Sequence, residues 1–196
     1  MIKRLFDITA SALGLALCSP LFLLVAALIK LDSKGSVFFK QERMGKNFRP
    51  FYIYKFRSMV QEAPEKGALI SVANDSRITR VGNVLRKAKI DELPQLINVL
   101  IGEMSLVGPR PEVPKYVQLF RKDYEEILRV HPGITDLASL KYRDEAAILA
   151  QSENPEEAYL KRVLPDKIKL AKEYIRRSSF LFDLSLILRT PLRLFG

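Results

Sequence analysis

The chain has 196 residues, 48% hydrophobic and 28% charged, which is enough for one domain with a core and too apolar for a disordered segment. Its net charge of +10 points to an anionic partner: nucleic acid, an anionic membrane surface or a phosphorylated substrate. A single cysteine, Cys18, excludes a disulfide framework and a cysteine-based metal site, and a single histidine, His131, argues against a zinc site or a catalytic histidine system, which leaves carboxylates, cations and backbone to carry the chemistry.

Ile8 to Ile29 is an uncharged run of 22 residues, long enough as one helix to cross a bilayer core of about 30 Å. The apolar character resumes at Leu21-Phe22-Leu23, where a signal peptide would turn polar. Pro20 removes one backbone hydrogen bond near the middle, and Ser19 can offer its hydroxyl to the freed carbonyl. Cations flank the run on both sides, Lys3 and Arg4 before it and Lys30 after it. A straight span must export the first set, whereas a hairpin exports neither. The expectation is therefore a re-entrant helix–break–helix over residues 1–30, bent at Ser19-Pro20, with a catalytic domain over 31–196. A straight span is the alternative.

Ser36 to Gln41 and Pro50 to Arg57 are rich in aromatic and β-branched residues, and Gly45-Lys46-Asn47 between them is turn chemistry, which predicts a small β-hairpin. The two-residue period puts Phe51, Ile53, Lys55 and Arg57 on one face, so Lys55 and Arg57 are expected to project together. Residues 61–76 read as a loop. Asn83 to Lys89 predicts a short helix that delivers Arg86 to the start of a central helix.

Asp91-Glu92-Leu93-Pro94 is expected to open that central helix, and Gly102 to end it. Leu93, Leu96, Ile97, Leu100 and Ile101 have the spacing of one buried helix face. Arg77, Arg80, Arg86, Lys87 and Lys89 crowd toward the same start with no acid among them. Cations at a helix start make an anion site, inside which two carboxylates would repel the anion. Ordinary capping accounts for acids there equally well on spacing alone. Two prolines then hold Arg110 in Pro109-Arg110-Pro111-Glu112, presenting a planar fork suited to phosphate. Amphipathic helices are expected over Tyr116–Val130 and over Glu156–Arg177, the latter interrupted at Pro165. Phe180–Phe195 is either an interfacial helix or a buried C-terminal one. The fold class is α+β, mostly helical.

Five segments in order, Lys55-Phe56-Arg57-Ser58-Met59, Arg77 to Gly82, Asp91 to Gln95, Gly102 to Pro111 and His131 to Thr135, resemble the bacterial sugar transferases called monotopic phosphoglycosyl transferases. The likeness covers nearly the whole chain, in the family's small, catalytic-domain-only form. It implies transfer of a sugar-1-phosphate from a UDP-sugar to undecaprenyl phosphate, releasing UMP. Asp91 would be the nucleophile of a phosphosugar-aspartyl intermediate and the site of a magnesium ion, with Glu92 its catalytic partner. Arg86 and Arg110, with Lys55, Arg57, Arg77 and Arg80, would bind substrate phosphate, and Pro109, Pro111 and Glu112 would line the nucleotide-sugar loop. The implied setting is the cytoplasmic face of the bacterial inner membrane, where the protein is monotopic, with bilayer lipid as a partner, no nucleic acid, and a homodimer compatible with it. Where many relatives continue with Gly-Trp-Ala-Gln, this chain has Asp136-Leu137-Ala138-Ser139, which leaves the sugar's identity open. The rivals are a membrane-tethered nucleic-acid binder, which the charge alone allows, and a non-catalytic membrane scaffold.

Overall fold

The structure, a computed structural model, describes residues 2–61 and 75–195, and for 191–195 the backbone only. Most of the expected 61–76 loop lies outside the described residues. The apolar run forms one helix, α1 (Ile2–Asp32), whose backbone stays helical through Pro20. That corrects the expected helix–break–helix. Proline at position 20 orphans the Ala16 carbonyl, and the Ser19 hydroxyl donates to that carbonyl at 2.8 Å, so the turn survives the lost bond.

The hairpin follows, β1 (Phe38–Met44) against β2 (Pro50–Phe56), antiparallel with Phe38 opposite Phe56 and Met44 opposite Pro50. Next come α2 (Arg80–Lys87), a 3₁₀ turn at Ile90–Glu92 and α3 (Gln95–Ile101). Gly102 ends α3 in the left-handed region at φ 97°, as its position implied. A parallel pair not expected from sequence joins β3 (Ser105–Val107) to β4 (Gly133–Thr135). Gly108 and Gly133 permit it: a Cβ on Gly133 would sit 2.0 Å from the Gly108 nitrogen.

The expected helix over 116–130 is two, α4 (Pro114–Leu119) and α5 (Arg121–Ile127), parted at Phe120, which leaves helical geometry and packs on the core. Then come α6 (Leu137–Lys141), α7 (Glu145–Ala150), α8 (Pro155–Ala158), a π turn at Tyr159–Val163 and α9 (Leu164–Arg177). Pro165 does not interrupt that run, because it falls in the first turn of α9, where a missing N–H costs nothing. α10 (Phe180–Phe195) closes the chain. The largest core cluster, around Val117, Leu128, Leu149 and Leu164, lies between α4, α5 and α7 to α9.

α1 docks on this domain along one stripe. Asp7, Ser11, Val25 and Ile29 are buried, and Gly14 brings the helix close to Leu96 of α3. Both ends are tied down. Lys3 donates to the Val107 carbonyl at 3.0 Å and pairs with Asp183 of α10. Arg4 donates to the Val99 and Leu100 carbonyls at 2.6 and 3.0 Å, capping the end of α3 with a cation. Asp7 accepts from the Ser105 hydroxyl and the Leu106 N–H. At the other end the Asp32 carboxylate accepts from the Val81 N–H, in the first turn of α2, at 3.0 Å. The opposite stripe of α1 is apolar and open, with Leu17 80% and Leu31 85% exposed. α10 likewise buries Asp183 and Leu186 against the domain while exposing Leu181 and Leu188.

Candidate active site

The site begins at the end of β2. A two-stranded sheet leaves one edge of β2 unpaired, and Asn98 of α3 covers it. Its side-chain oxygen accepts from the Tyr54 N–H at 3.0 Å, and its amide donates to the Tyr52 carbonyl at 2.8 Å and to Glu103 at 2.7 Å. Asn98 is fully buried, so nothing competes for these bonds. This single side chain fixes Lys55 beside the turn that carries the carboxylates.

That turn is shaped by Lys89, held in the left-handed region at φ 56°, where α2 ends and the 3₁₀ turn begins. Asp91 therefore stands four residues before α3 and does not cap it, which corrects the expectation of a helix starting at Asp91. The two carboxylates meet opposite surroundings. Glu92 uses both oxygens: Lys55 donates to one at 2.7 Å, and Arg110 grips both through its two terminal nitrogens. Burial works to raise the Glu92 carboxyl, but the Arg110 guanidinium and the Lys55 ammonium outweigh it and hold the group well below the usual range. Asp91 is 8% exposed, and its Oδ1 is buried without a hydrogen-bond partner. Burial pushes its carboxyl up, with the Glu92 charge adding to that, against Lys55, Arg86 and Lys89. Three cations thus work against the desolvation of Asp91.

Arg86 lines the same cavity and has no ion pair or hydrogen bond among the described residues, so its guanidinium is free for an anion. Arg110 is positioned by its backbone as well, since its N–H donates to the Asp136 carboxylate at 3.1 Å. Asp136 itself caps α6 by accepting from the Ser139 N–H. Pro111 and Glu112 line the cavity, while Pro109 lends its carbonyl to the Gly133 N–H at 3.0 Å and so ties the loop to β4. Glu112 accepts from the Tyr159 hydroxyl.

Two expected phosphate ligands do not offer a free guanidinium to the cavity. Arg57 borders the same cavity as Lys55, but its guanidinium is spent on the link after α1. It is buried past the end of β2, where its guanidinium donates to the Ser33, Lys34 and Ser36 carbonyls and to the Ser33 hydroxyl, four of its five N–H groups. It therefore anchors the link between α1 and β1. Arg80 is exposed at the start of α2 and does not line the cavity. Arg77 does line it, paired with Asp75 at 2.6 Å. The cavity measures about 1040 Å³, running from Arg77 and Arg86 past the carboxylates to α6, α7 and α9. Asn98 and Asp136 escaped the sequence reading: an amide inside an apolar helical stripe and an acid just past a family segment give no signal without the fold.

Several curated proteins resemble the chain. A UDP-N-acetylgalactosamine-undecaprenyl-phosphate N-acetylgalactosaminephosphotransferase of Aeromonas hydrophila is 50% identical over 71% of this chain and 34% of its own length. An undecaprenyl-phosphate glucose phosphotransferase of Komagataeibacter xylinus is 43% identical over 96% of the chain and 35% of its own length. The exopolysaccharide production protein ExoY of Rhizobium meliloti is 37% identical over 97% of the chain and 84% of its own length. The chain thus spans about a third of the first two relatives and most of the third. A family model described as bacterial sugar transferase matches residues 1–196, and the chain belongs to that family.

Proposed function

We propose that the chain is a phosphoglycosyl transferase, moving a sugar-1-phosphate from a UDP-sugar onto undecaprenyl phosphate. The observation that carries the reading is Asp91: a buried carboxylate with one unpartnered oxygen, flanked by Lys55, Lys89 and an unpaired Arg86. A carboxylate so placed has lost its water and is a nucleophile needing no general base. Asp91 attacks the β-phosphorus of the donor. The bond from that phosphorus to the bridging oxygen breaks, and UMP leaves with the electron pair, its new charge met by Arg86. A phosphate oxygen of the lipid then attacks the phosphosugar on Asp91 and frees the carboxylate. Glu92 is held ionised by Arg110 and Lys55, so it acts by fixing those cations against the diphosphate.

Magnesium, the ion implied by the family, fits the donor set. It takes one or two carboxylates and completes its shell with water and substrate phosphates. Asp91 offers an oxygen with no protein partner. When bound, the ion offsets the repulsion between carboxylate and diphosphate.

The same reading covers the membrane. α1 is long and apolar enough to enter a bilayer, yet Lys3, Arg4 and Asp7 at one end and Asp32 at the other are bonded to one domain. Exporting either end would break those bonds. We read α1 as lying along the membrane face, pressing its open leucine stripe into lipid while the domain stays on the cytoplasmic face of the inner membrane. The test is UMP release by purified protein given magnesium, undecaprenyl phosphate and a panel of UDP-sugars. Release with one sugar that requires Asp91 is the expected result; no release above an Asp91→Asn control with any sugar overturns the assignment. DNA or RNA binding that falls steeply with salt, with no UMP formed, would favour the nucleic-acid rival.

A further inference from the structure

Three buried side-chain polar atoms lack a hydrogen-bond partner among the described residues: Asp91 Oδ1, Arg43 Nη1 and Ser139 Oγ. All three residues line the same large cavity. Buried polar groups are normally satisfied, and three left without partners beside one space are available to a ligand that seats there. Asp91 acts on the donor's phosphorus. The other two lie on the far side of Arg110. Ser139 is tied there directly, because one carboxylate, Asp136, accepts from both its N–H and the Arg110 N–H, at 2.6 and 3.1 Å. Arg43 is tied through the next residues of the loop, since the Met44 N–H donates to the Glu112 carbonyl at 2.9 Å. Charge relations agree for Arg110, which feels Asp136 and Glu145 as well as Glu92, while Arg43 feels Glu112, Arg110 and Glu92.

We propose, resting on the phosphoglycosyl transferase reading, that Ser139 and Arg43 bind the sugar of the donor and set which sugar is accepted. A serine hydroxyl both donates and accepts, which matches a sugar hydroxyl, and a guanidinium donates only, which matches a hydroxyl or amide carbonyl oxygen. The surroundings argue against the uracil base here. Tyr116, Tyr142 and Tyr159 stand on this side, but a lysine lies over a face of each ring: Lys115 at 5.6 Å, Lys141 at 5.6 Å and Lys167 at 5.0 Å. Tyr116 and Tyr159 are also buried. None is offered as a stacking platform for a base.

The experiment compares binding of UDP and of a panel of UDP-sugars to the full chain in detergent or nanodiscs with magnesium, for wild type, Ser139→Ala and Arg43→Gln. Ser139→Ala removes an oxygen with no protein partner, so its Tm is expected to match wild type. UDP is expected to bind all three proteins within twofold. The preferred UDP-sugar is expected to lose its advantage over UDP by tenfold or more in each variant. In Ser139→Ala, a deoxygenated analogue of that sugar should bind as well as the parent, identifying the hydroxyl read. If UDP and UDP-sugar weaken together, the lobe holds the nucleotide and the proposal is overturned. Unchanged sugar preference in Ser139→Ala overturns it as well, even if Arg43→Gln fails to fold. Absence of any UDP or UDP-sugar binding to wild type sinks the transferase reading and this proposal with it.

Discussion

Asp91 keeps one oxygen free and buried, whereas its neighbour Glu92 spends both oxygens on Lys55 and Arg110. The two carboxylates therefore fail differently when altered. Asp91→Asn should lower UMP release by on the order of 10³-fold or more while Tm holds or rises, because a neutral amide is easier to bury than a carboxylate. Glu92→Gln should lower both, losing about 2 kcal/mol of stability by leaving two partly buried cations without their counter-charge. The arginines divide likewise. Arg86 has no protein partner among the described residues, so Arg86→Ala should cost activity alone, about 2–4 kcal/mol of transition-state stabilisation. Arg110→Ala should cost activity and stability together. Kinetics alongside thermal melts separate the four cases. The residue types of this site were legible in the sequence, since adjacent acids among cations with no intervening carboxylate are unusual. Their division of labour was not, because it depends on which oxygen is buried, and burial is a property of the fold.

The hairpin and the glycine that ends α3 were readable, because each rests on local spacing or on one residue's backbone preference, whereas the apolar stripe expected to be buried on the central helix was not: Gln95, Asn98 and Val99 are buried there while Leu100 and Ile101 are exposed. The β3–β4 pair was not readable either, since a three-residue strand has too little sequence to show a period. Its signature is a pair of glycines 25 residues apart, Gly108 and Gly133, whose backbones touch. Gly133→Ala should cost about 3 kcal/mol or more, because the clash is with backbone and nothing flexible can move aside. A Tm unchanged by that substitution would show that the two loops do not meet. α1 makes a second element-level case. Arg4 and Asp32 hold the outer ends of α3 and α2, the two helices that flank Asp91. Arg4→Gln should therefore slow UMP release several-fold in detergent, where membrane insertion plays no part, and urea unfolding should show it about 1 kcal/mol less stable. Unaltered kinetics would confine Arg4 to a topological role.

The whole molecule combines a cationic cavity with an apolar outer stripe on α1, and α10 extends that stripe through Leu181 and Leu188. A polyprenyl chain could then remain in lipid while its phosphate reaches Asp91. Topology is set by the same docking, because both ends of α1 are bound to one body. A cysteine at position 2, in a Cys18→Ser background, should resist a membrane-impermeant thiol reagent in intact cells and react after lysis. Labelling before lysis would mean an ordinary span, with the contacts of Lys3, Arg4 and Asp7 broken. Pro20→Leu restores the missing backbone N–H to a helix already continuous at that point, so it should leave the terminus inside while Lys3 and Arg4 remain.

The assignment turns on a covalent step at Asp91, and single-turnover chemistry without the acceptor isolates it. Purified protein is mixed with magnesium and its preferred UDP-sugar, and undecaprenyl phosphate is left out. UMP should appear in a burst of about one equivalent per enzyme, the kinetic mark of a covalent intermediate. Mass spectrometry should find one sugar phosphate on the peptide that carries Asp91, discharged when the lipid phosphate is added, with burst and adduct both absent from Asp91→Asn. UMP that forms only after the lipid is added, with no adduct at any time, would mean that the sugar phosphate passes directly between substrates and that Asp91 is not the nucleophile.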